Sequence, residues 1–377
     1  MYLPKVRTWP LLLPFAWLYG LGVWLRNRMF DIGWLRSTSF EGRVPVICIG
    51  NIAAGGTGKT PHVEYIVRLL QAQNIGPVAV LSRGYKRKSR GFVLATEGIE
   101  PARLGDEPYQ MHRKFRDLIV AVDTRRENGI RRLLALDTPP RVILLDDAFQ
   151  HRYVRAGLSI CLTSYSRILY KDLLLPAGRL REPAKGIRRA DLVVVTKCPA
   201  RGLRDEEQVE VNGSLPTRLD QPIYTTAYRY GRLVSLLTNK PTDIDRKSLV
   251  LMLTAIADPS VMEQYVQTQY RLMDKMAFSD HHHFTAKDIA KIRRRLAAIN
   301  EGGNCPMGEK TTALADNAVI ITTEKDAARL IRHTALDDEL KARIYMLPTE
   351  AYFYDKKQEQ TFHQTIIDYV TENTANR

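Results

Sequence analysis

A glycine-rich run between two patterned segments constrains the fold of this chain more than any other feature. The apolar residues 44–50 lead directly into the run NIAAGGTGKT (residues 51–60), and residues 61–73 then carry apolar side chains at helical spacing. Glycines let backbone N–H groups turn inward around an anion, and the N-terminus of the following helix adds partial positive charge. This strand–loop–helix order predicts a phosphate-binding loop of the Walker A type.

The individual residues of the run suit that role. Lys59 is expected to reach the terminal phosphates of a nucleotide, and the Thr60 hydroxyl is expected to ligate Mg²⁺. Ala53 stands where the strict motif has glycine, while the rest of the pattern is intact. The predicted nucleotide-binding residues are Gly55, Gly56, Thr57, Gly58, Lys59 and Thr60.

Short apolar runs alternate with helical segments after residue 40. The predicted strands are residues 44–50, 78–82, 118–123, 142–145, 158–163 and 192–196. Most are continuous runs of Val, Ile and Leu, as expected when helices cover both faces of a sheet. A second series follows a polar stretch, with strands at 249–256 and 319–322 and helices near 261–268 and 285–299. The pattern predicts an α/β protein.

The predicted architecture has three parts. Residues 1–32 form an N-terminal membrane-associating segment, and residues 33–220 form a core of the P-loop NTPase type, with a mostly parallel sheet and helices on both faces. Residues 221–377 form a second, smaller α/β domain that carries the DHHHF segment.

The N-terminal segment has features that are typical of a membrane-associating helix. Residues 9–25 (WPLLLPFAWLYGLGVWL) carry no charge, and Arg26 and Arg28 follow them. The run is slightly shorter than the ~20 apolar residues that a helix needs to cross a bilayer. Its tryptophans suit the headgroup boundary and its basic flank suits anionic lipid. We therefore expect a helix that associates with a membrane. Whether it spans or lies on the bilayer stays open, and an amphipathic or buried helix of the protein itself is the alternative.

The net charge and the cysteines indicate which binding partners and which cellular compartment suit this chain. Lys and Arg number 56 against 41 Asp and Glu, a net charge of +15 that suits nucleic acid, an anionic membrane or a phosphorylated substrate. No nucleic-acid-binding motif accompanies it, so we expect no nucleic-acid partner. The cysteines lie far apart and form no CxxC pair, which predicts reduced thiols in a cytosolic compartment. They are Cys48, Cys161, Cys198 and Cys305.

Carboxylates at the ends of predicted elements are candidate metal ligands or bases. The run RVILLDD (residues 141–147) ends a strand in two aspartates, either of which could hold Mg²⁺ beside the glycine-rich run. The pair Asp106-Glu107 precedes a predicted helix, where helix capping alone would also explain it. Adjacent histidines at 281–283 point in different directions, so one histidine bonded to a carboxylate is a better hypothesis than a metal site.

These motifs together resemble the tetraacyldisaccharide 4'-kinase family of the lipid A pathway in Gram-negative bacteria. The matching segments are GNIAAGGTGKTP (50–61), LSRGYKR (81–87), GDEP (105–108), DDAFQH (146–151), LLPAGRLREP (174–183), RADLVVVTK (189–197), FSDHHHF (278–284) and TEKDAARL (323–330). The glycine-rich run is common to many NTPases, whereas DDAFQH, LPAGRLREP and DHHHF are more specific. Ala148 and Ser279 depart from the family's usual Gly and Pro.

The resemblance implies a kinase at the cytoplasmic face of the inner membrane. It would use ATP and Mg²⁺ to phosphorylate the 4'-hydroxyl of a tetraacylated glucosamine disaccharide 1-phosphate. Such an anionic, amphiphilic glycolipid would account for both the positive charge and the apolar N-terminal run.

The resemblance also implies residue roles. Asp106 would be the base, paired with His281, and Arg181 would lie beside the phosphates with Lys59. The ligands around Mg²⁺ would be Thr60, Glu107 and Asp146, and the further site candidates are Asp147, Gln150 and His151.

Two other functions compete with this interpretation. A P-loop GTPase would need an [NT]KxD motif to bind guanine, and residues 196–199 are TKCP without the aspartate. A membrane-bound nucleotide-binding ATPase or adaptor would transfer nothing to a small molecule. It would have no use for an Asp106–His281 pair or for the LPAGRLREP segment.

Overall fold

A computed structural model describes residues 9–167, 172–256, 259–279, 282–301, 318–331 and 333–374. The chain divides into two compact units, one formed by Met1–Arg229 with Glu350–Arg377 and the other by Tyr230–Thr349. The predicted domain boundary at residue 220 therefore lies before the first unit ends. Residues 350–377, which the sequence analysis assigned to the second domain, belong to the first unit.

The helices are α1 (Leu13–Asp31), α2 (Lys59–Ala72), α3 (Pro101–Leu104), α4 (Asp106–Lys114), α5 (Arg126–Leu134), α6 (Asp205–Ser214), α7 (Ser260–Gln269), α8 (Ala286–Asn300), α9 (Glu324–Leu330), α10 (Asp338–Ala342) and α11 (Lys356–Thr374). Short 3₁₀ turns occur at Pro10–Leu12 and Ala184–Arg189.

The strands are β1 (Thr38–Ser39), β2 (Val46–Asn51), β3 (Val78–Ser82), β4 (Val93–Leu94), β5 (Leu118–Val122), β6 (Val142–Asp146), β7 (Val154–Arg155), β8 (Leu158–Ser164), β9 (Leu192–Thr196), β10 (Ile223–Thr225), β11 (Ala227–Tyr230), β12 (Val234–Ser235), β13 (Leu249–Thr254), β14 (Arg271–Ala277), β15 (Val319–Thr323), β16 (Ile344–Leu347) and β17 (Thr349–Tyr352). Every strand predicted from an apolar run is present, with its ends shifted by at most two residues.

The first unit contains an eight-stranded sheet in the order β10-β9-β8-β2-β6-β3-β5-β4. All neighbours run parallel except the edge strand β4, which is antiparallel to β5. This confirms the expectation of a mostly parallel sheet. Because the carboxyl ends of parallel strands lie at one edge, residues that follow β2, β3, β6 and β9 are brought together there.

Helices cover both faces of this sheet. On one face, Ile130 of α5 and Val211 of α6 join the core, together with Ile187 of the 3₁₀ turn. On the other face, α2 and α4 pack beside α11, which buries Phe362 and Ile366. Burial on both faces explains why the strand sequences are continuous apolar runs rather than alternating ones.

The second unit has its own five-stranded sheet in the order β12-β16-β15-β13-β14, parallel except for β12. Ile292 and Leu296 of α8 pack on one face, and Val266 of α7 packs on the other. These faces form a separate core. The expected second α/β unit is therefore present, with bounds that differ from the predicted ones.

The N-terminal helix α1 leaves most of its apolar side chains exposed. Leu11 in the preceding turn is 93% exposed, Trp17 is 72% exposed and Leu18 is 69% exposed. Ala16 and Phe30 are its buried residues. No helix among the described residues combines the length and the apolar character needed to cross a bilayer.

Three cysteines are free and buried: Cys48, Cys161 and Cys198. Burial raises the thiol pKa of all three, to about 12 for Cys48 and Cys198. The thiols are thus protonated and inert at neutral pH, as expected for reduced core cysteines. Cys305 lies outside the described residues.

Candidate active site

The glycine-rich loop (residues 52–58) joins the end of β2 to the start of α2 at the carboxyl edge of the sheet. Gly55 and Gly58 have φ angles of +113° and +86°, in the region that side chains rarely adopt. A Cβ on Gly58 would also clash with the Tyr228 hydroxyl. Glycine at position 58 is therefore required by both the backbone conformation and the space around it.

Neighbouring segments hold the loop in place. The Asn51 side-chain amide donates to Thr57 Oγ1 at 2.6 Å, and the Thr196 hydroxyl donates to the Thr57 carbonyl at 2.8 Å. The Ala54 N–H donates to the carbonyl of Arg179 at 2.7 Å. The loop is thus fixed by the ends of β2 and β9 and by the LLPAGRLREP segment.

Two cations converge on one carboxylate beside the loop. Lys59 Nζ lies 3.4 Å from Asp147 Oδ1, and Arg181 NH1 lies 3.2 Å from the same oxygen. Burial alone would raise the pKa of Asp147, but Lys59 and Arg181 outweigh it and lower that pKa. Asp147 is therefore an ionised carboxylate that draws together the two cations predicted to face phosphate.

Asp146 lies in the opposite environment, although it is the adjacent residue. It is buried at the end of β6, where its Oδ2 accepts a hydrogen bond from Ser82 at 3.1 Å. Its Oδ1 has no hydrogen-bond partner within the part of the chain that the structure describes. Burial, then the negative charges of Glu107 and Asp147, raise the pKa of Asp146.

These carboxylates fit a hard cation. A buried oxygen without a partner, close to two other negative charges, is a position that Mg²⁺ would stabilise. Among the described residues, no three His, Cys, Asp or Glu side chains are grouped closely enough to hold a metal by themselves. Mg²⁺ would therefore need further oxygen ligands from the Thr60 hydroxyl, phosphate or water.

Arg126 is a buried residue that the sequence analysis missed. Its guanidinium donates to the backbone carbonyls of Asp123, at 2.7 Å, and Asp146, at 3.4 Å. Burial lowers its pKa to about 10, so it stays charged at neutral pH. Arg126 thus links the chain after β5 to the end of β6. No local sequence signal marks it, because it is one arginine in the run DTRREN.

Ser82 was also missed, although the sequence contained a usable signal. It is the last residue of β3, the neighbour of β6 in the sheet. A polar residue that ends a buried parallel strand lies at the same edge as the residues that end its neighbours.

Gln150 and His151 lie near the loop but have different environments. The Gln150 side-chain amide donates to the Asn51 carbonyl at 2.6 Å and to Glu182 Oε1 at 2.9 Å. Gln150 therefore connects the end of β2, where the loop begins, to the LLPAGRLREP segment. Burial lowers the pKa of His151 to about 4, and the positive charge of Arg126 acts in the same direction. His151 is therefore neutral at physiological pH.

The GDEP segment begins a helix. Gly105 is the N-cap of α4, with φ of +91°, and Asp106 and Glu107 lie in the first turn. The N-cap is a glycine without a side chain, and the two carboxylates lie where negative charge suits the helix dipole, so helix stabilisation remains an alternative explanation of the segment. His281 lies outside the described residues, and the pairing of Asp106 with it stays a prediction.

Helix α1 contacts the segments that build this site. The Tyr19 hydroxyl donates to the Arg181 carbonyl at 2.8 Å, and Arg26 donates to the Gln150 carbonyl at 2.6 Å. The N-terminal helix thus supports the backbone of two predicted site residues while most of its apolar side chains remain exposed.

Known proteins of one family match nearly the whole chain. Residues 8–368 match the family described as "Tetraacyldisaccharide-1-P 4'-kinase". The tetraacyldisaccharide 4'-kinase of Bacteroides fragilis strain NCTC 9343 is 47% identical over 99% of this chain and 95% of its own length. That of Porphyromonas gingivalis strain W83 is 40% identical over 97% of this chain and 98% of its own length.

A solved structure is similar over the same extent. The crystal structure of the "apo" form of LpxK from Aquifex aeolicus, in complex with ATP, superposes with a TM-score of 0.69 at 27% sequence identity. The match covers 95% of this chain and 98% of the Aquifex chain. With the match to the family over residues 8–368 and the relatives at 40% and 47% identity, it follows that this chain belongs to the tetraacyldisaccharide-1-P 4'-kinase family.

Proposed function

We propose that this protein is an ATP-dependent kinase of lipid A biosynthesis, of the P-loop type. It transfers the γ-phosphate of ATP to the 4'-hydroxyl of a tetraacylated glucosamine disaccharide 1-phosphate. The observation that carries the proposal is the convergence of Lys59 and Arg181 on one point beside the glycine-rich loop, 3.4 and 3.2 Å from Asp147 Oδ1. Two cations at a glycine-rich loop that leads into a helix suit a triphosphate rather than a neutral ligand.

The chain's own residues supply most of the electrostatic stabilisation. Phosphoryl transfer passes through a loose transition state in which negative charge is spread over the phosphoryl oxygens. Lys59 and Arg181 are already oriented by Asp147, so little reorganisation is needed when that charge develops. Gln150 and Asn51 keep the loop and the LLPAGRLREP segment in register, which holds Arg181 beside Lys59.

Mg²⁺, when bound, would neutralise charge on the transferring phosphate. Asp146, Glu107 and Thr60 are the residues proposed to hold it, because Asp146 has a buried oxygen without a partner among the described residues. The raised pKa of Asp146 agrees with this role, because burial and the charges of Glu107 and Asp147 leave the ionised carboxylate poorly stabilised.

Asp106 is the proposed base, and His281 its partner. A sugar hydroxyl is a weak nucleophile, so a carboxylate must accept its proton as the new O–P bond forms and the bond from the γ-phosphorus to the β,γ-bridging oxygen breaks to leave ADP. Asp106 lies at the start of α4, next to Glu107, whose charge acts on Asp146. The proposed base would therefore lie one residue from Glu107, a proposed ligand of Mg²⁺.

We also propose that the protein works on the cytoplasmic face of the inner membrane. Helix α1 exposes tryptophan and leucine side chains and carries the basic residues Arg26 and Arg28 toward its C-terminal end. Aromatic side chains favour the bilayer interface, and basic ones favour anionic headgroups. An enzyme held there would meet an acylated substrate without extracting it into water.

The test is a transfer assay with purified protein, ATP, Mg²⁺ and disaccharide monophosphate, with the lipid product separated by thin-layer chromatography. We expect phosphate on the glycolipid and ATP consumption that depends on it. Lys59→Ala should abolish transfer without unfolding the protein, because a cation at the terminal phosphates is lost. The matched control is Lys341→Ala, which breaks a surface pair with Asp338 at 2.9 Å and should keep full activity. If the rate of ATP hydrolysis does not depend on the glycolipid acceptor, the result would instead favour the alternative function, an ATPase or adaptor.

A further inference from the structure

His62 makes buried contacts that neither the motifs nor the proposed chemistry explain. It lies in the first turn of α2 and is 4% exposed. Its Nδ1 lies 2.8 Å from the carbonyl oxygen of Gly58, and its Nε2 lies 2.9 Å from the hydroxyl of Thr226. One imidazole thus joins the last residue of the glycine-rich loop to the residue that follows β10.

The partners determine which nitrogen carries the proton. A carbonyl oxygen only accepts, so Nδ1 must be protonated and donates to Gly58. Nε2 of the neutral ring then accepts from the Thr226 hydroxyl, whose other acceptor, the Val195 carbonyl, lies farther away at 3.4 Å. The ring is buried and both of these partners are uncharged, so the neutral form is the one that suits the site. Both ring nitrogens are therefore satisfied in one tautomer.

The side chain of His62 restrains the Gly58 carbonyl more closely than the helix does. The backbone N–H of His62 is 3.4 Å from that carbonyl, a long bond for the start of a helix, whereas the ring nitrogen is 2.8 Å away. The preceding carbonyl, that of Thr57, is held separately by the Thr196 hydroxyl at 2.8 Å. Two consecutive loop carbonyls are thus anchored by side chains.

The two threonines that hold these carbonyls, directly or through His62, lie at the ends of neighbouring strands in the sheet. Thr196 ends β9, and Thr226 follows β10, which pairs with β9 in parallel. The Thr226 N–H also donates to the Val195 carbonyl at 2.9 Å, which fixes Thr226 against β9. The loop therefore takes its orientation from the sheet through a threonine on one strand and a threonine–histidine relay beside the next.

Anchoring a carbonyl also aims the next N–H. The peptide unit is planar and trans, so its C=O and N–H point in opposite directions. The Thr57 carbonyl shares a peptide unit with the Gly58 N–H, and the Gly58 carbonyl shares one with the Lys59 N–H. Holding both carbonyls toward the sheet edge consequently directs these two N–H groups away from it, into the concave side of the loop.

We propose that His62 and Thr226 are positioning residues that aim the Gly58 and Lys59 N–H groups at the phosphates of ATP. This inference rests on the proposed function, since it assumes a nucleotide at the glycine-rich loop. His62 and Thr226 would thus contribute to the affinity for nucleotide and not to the binding of the glycolipid acceptor.

The test compares two neighbouring threonines. Thr226→Val removes the hydroxyl that orients His62 while keeping the side-chain volume, and Thr226→Ser restores a hydroxyl. Thr225→Val is the matched control: Thr225 is equally buried, but its hydroxyl bonds to Tyr354 at 2.7 Å and Gln358 at 3.2 Å, away from the loop. His62→Leu removes both ring contacts with little loss of volume.

The measurements are the Kd of a non-hydrolysable ATP analogue with Mg²⁺, the KM values of ATP and disaccharide monophosphate, and Tm. We expect Thr226→Val and His62→Leu to raise Kd and the KM of ATP about tenfold, as for the loss of one buried hydrogen bond. The KM of the glycolipid should not change. Thr226→Ser should recover most of the affinity, and Thr225→Val should lower Tm without changing Kd.

Two results would overturn the inference: unchanged Kd in Thr226→Val, or an equal rise of Kd in Thr225→Val. If His62→Leu does not fold, the three threonine variants still decide. A wild-type protein that neither binds the analogue nor transfers phosphate would contradict the proposed function itself. Wild-type binding and transfer with unaffected Thr226 variants would contradict only the positioning role.

Discussion

Adjacent aspartates at the end of β6 have opposite electrostatic environments. Asp147 turns out of the strand with φ of +50° and meets two cations, while Asp146 stays buried beside Ser82 and near other carboxylates. The pKa of Asp147 is lowered and that of Asp146 is raised. Such divergence suits separate roles: one carboxylate orients cations, and the other, with its pKa raised by burial and by neighbouring carboxylates, is the proposed ligand of Mg²⁺.

Asp146→Asn should separate activity from stability. Loss of a charged metal ligand should reduce transfer by ~10²-fold or more. The folded state holds the Asp146 proton more tightly than the unfolded chain, so ionising this group above about pH 4 costs folding stability. The neutral amide avoids that cost, and we expect an equal or higher Tm for the metal-free variant at pH 7.5, measured by scanning calorimetry.

Asp147→Asn is the control with the opposite sign. Its lowered pKa means that ionised Asp147 stabilises the folded state, so removing the charge should lower Tm at pH 7.5. Equal losses of Tm in both variants would show that Asp146 is not a costly buried charge.

A double-mutant cycle of Asp106→Ala and His281→Ala tests the proposed base. Residues that act as one unit are strongly non-additive, so the double variant should cost little more in kcat than the worse single variant. The measurement is kcat at saturating ATP and glycolipid. Additive losses, or one variant with wild-type kcat, would leave the kinase without its assigned base, since independent distant sites contribute additively.

At the scale of elements, α1 combines an exposed apolar surface with contacts to the site. Trp17, Leu21 and Trp24 are exposed and follow the i, i+4, i+7 spacing of one helix face. Tyr19 and Arg26 of the same helix donate to backbone carbonyls of the site segments. The helix is therefore proposed both to attach the protein to a membrane and to support Arg181.

Replacing Trp17, Leu21 and Trp24 together by Gln should reduce binding to vesicles that contain anionic lipid, measured by co-sedimentation. Affinity for an ATP analogue in solution should stay unchanged, because these side chains are exposed. The control Tyr19→Phe removes the hydrogen bond to Arg181 and should leave vesicle binding intact. Wild-type sedimentation of the triple variant would mean that α1 does not attach the protein.

At the scale of the whole molecule, the chain leaves the first unit and returns to it. Residues 230–349 form one contiguous unit with its own core, and α11 completes the first unit by burying Phe362, Ile366 and Val370. The Gly231 N–H donates to the Pro348 carbonyl at 3.0 Å, so the two ends of the second unit are adjacent. This is the usual geometry of an inserted unit that can fold alone.

We therefore expect a fragment of residues 230–349 to unfold cooperatively, as seen by circular dichroism during heating. A chain ending at residue 349 should fail to fold its first unit. Each buried α11 side chain contributes about 1.5–3 kcal/mol, and together they are a large part of a domain's stability. A stable, soluble 1–349 chain would show that α11 is dispensable.

The sequence alone determined the features that are made of contiguous residues. The strand, glycine-rich loop and α2 are neighbours in the chain, so their spacing was sufficient to predict this strand–loop–helix unit, whereas phosphate binding by the loop stays a prediction. Continuous apolar runs likewise predicted a parallel sheet, because burial on both faces removes the need for alternation. The pair Asp146-Asp147 was found for the same reason, as the end of one such run.

Only the tertiary structure decided how those aspartates differ and which distant residues support the loop. The two adjacent residues cannot by themselves show that one carboxylate turns toward Lys59 and the other remains buried, since this depends on where β6 ends and on the positive φ that follows it. His62 and Thr226 are 164 positions apart, and only the order of strands in the sheet brings them together. Helical periodicity predicts an apolar face on α11, but it does not identify the core that this face covers. The hydrophobic effect is non-directional and does not depend on which apolar surface is the partner.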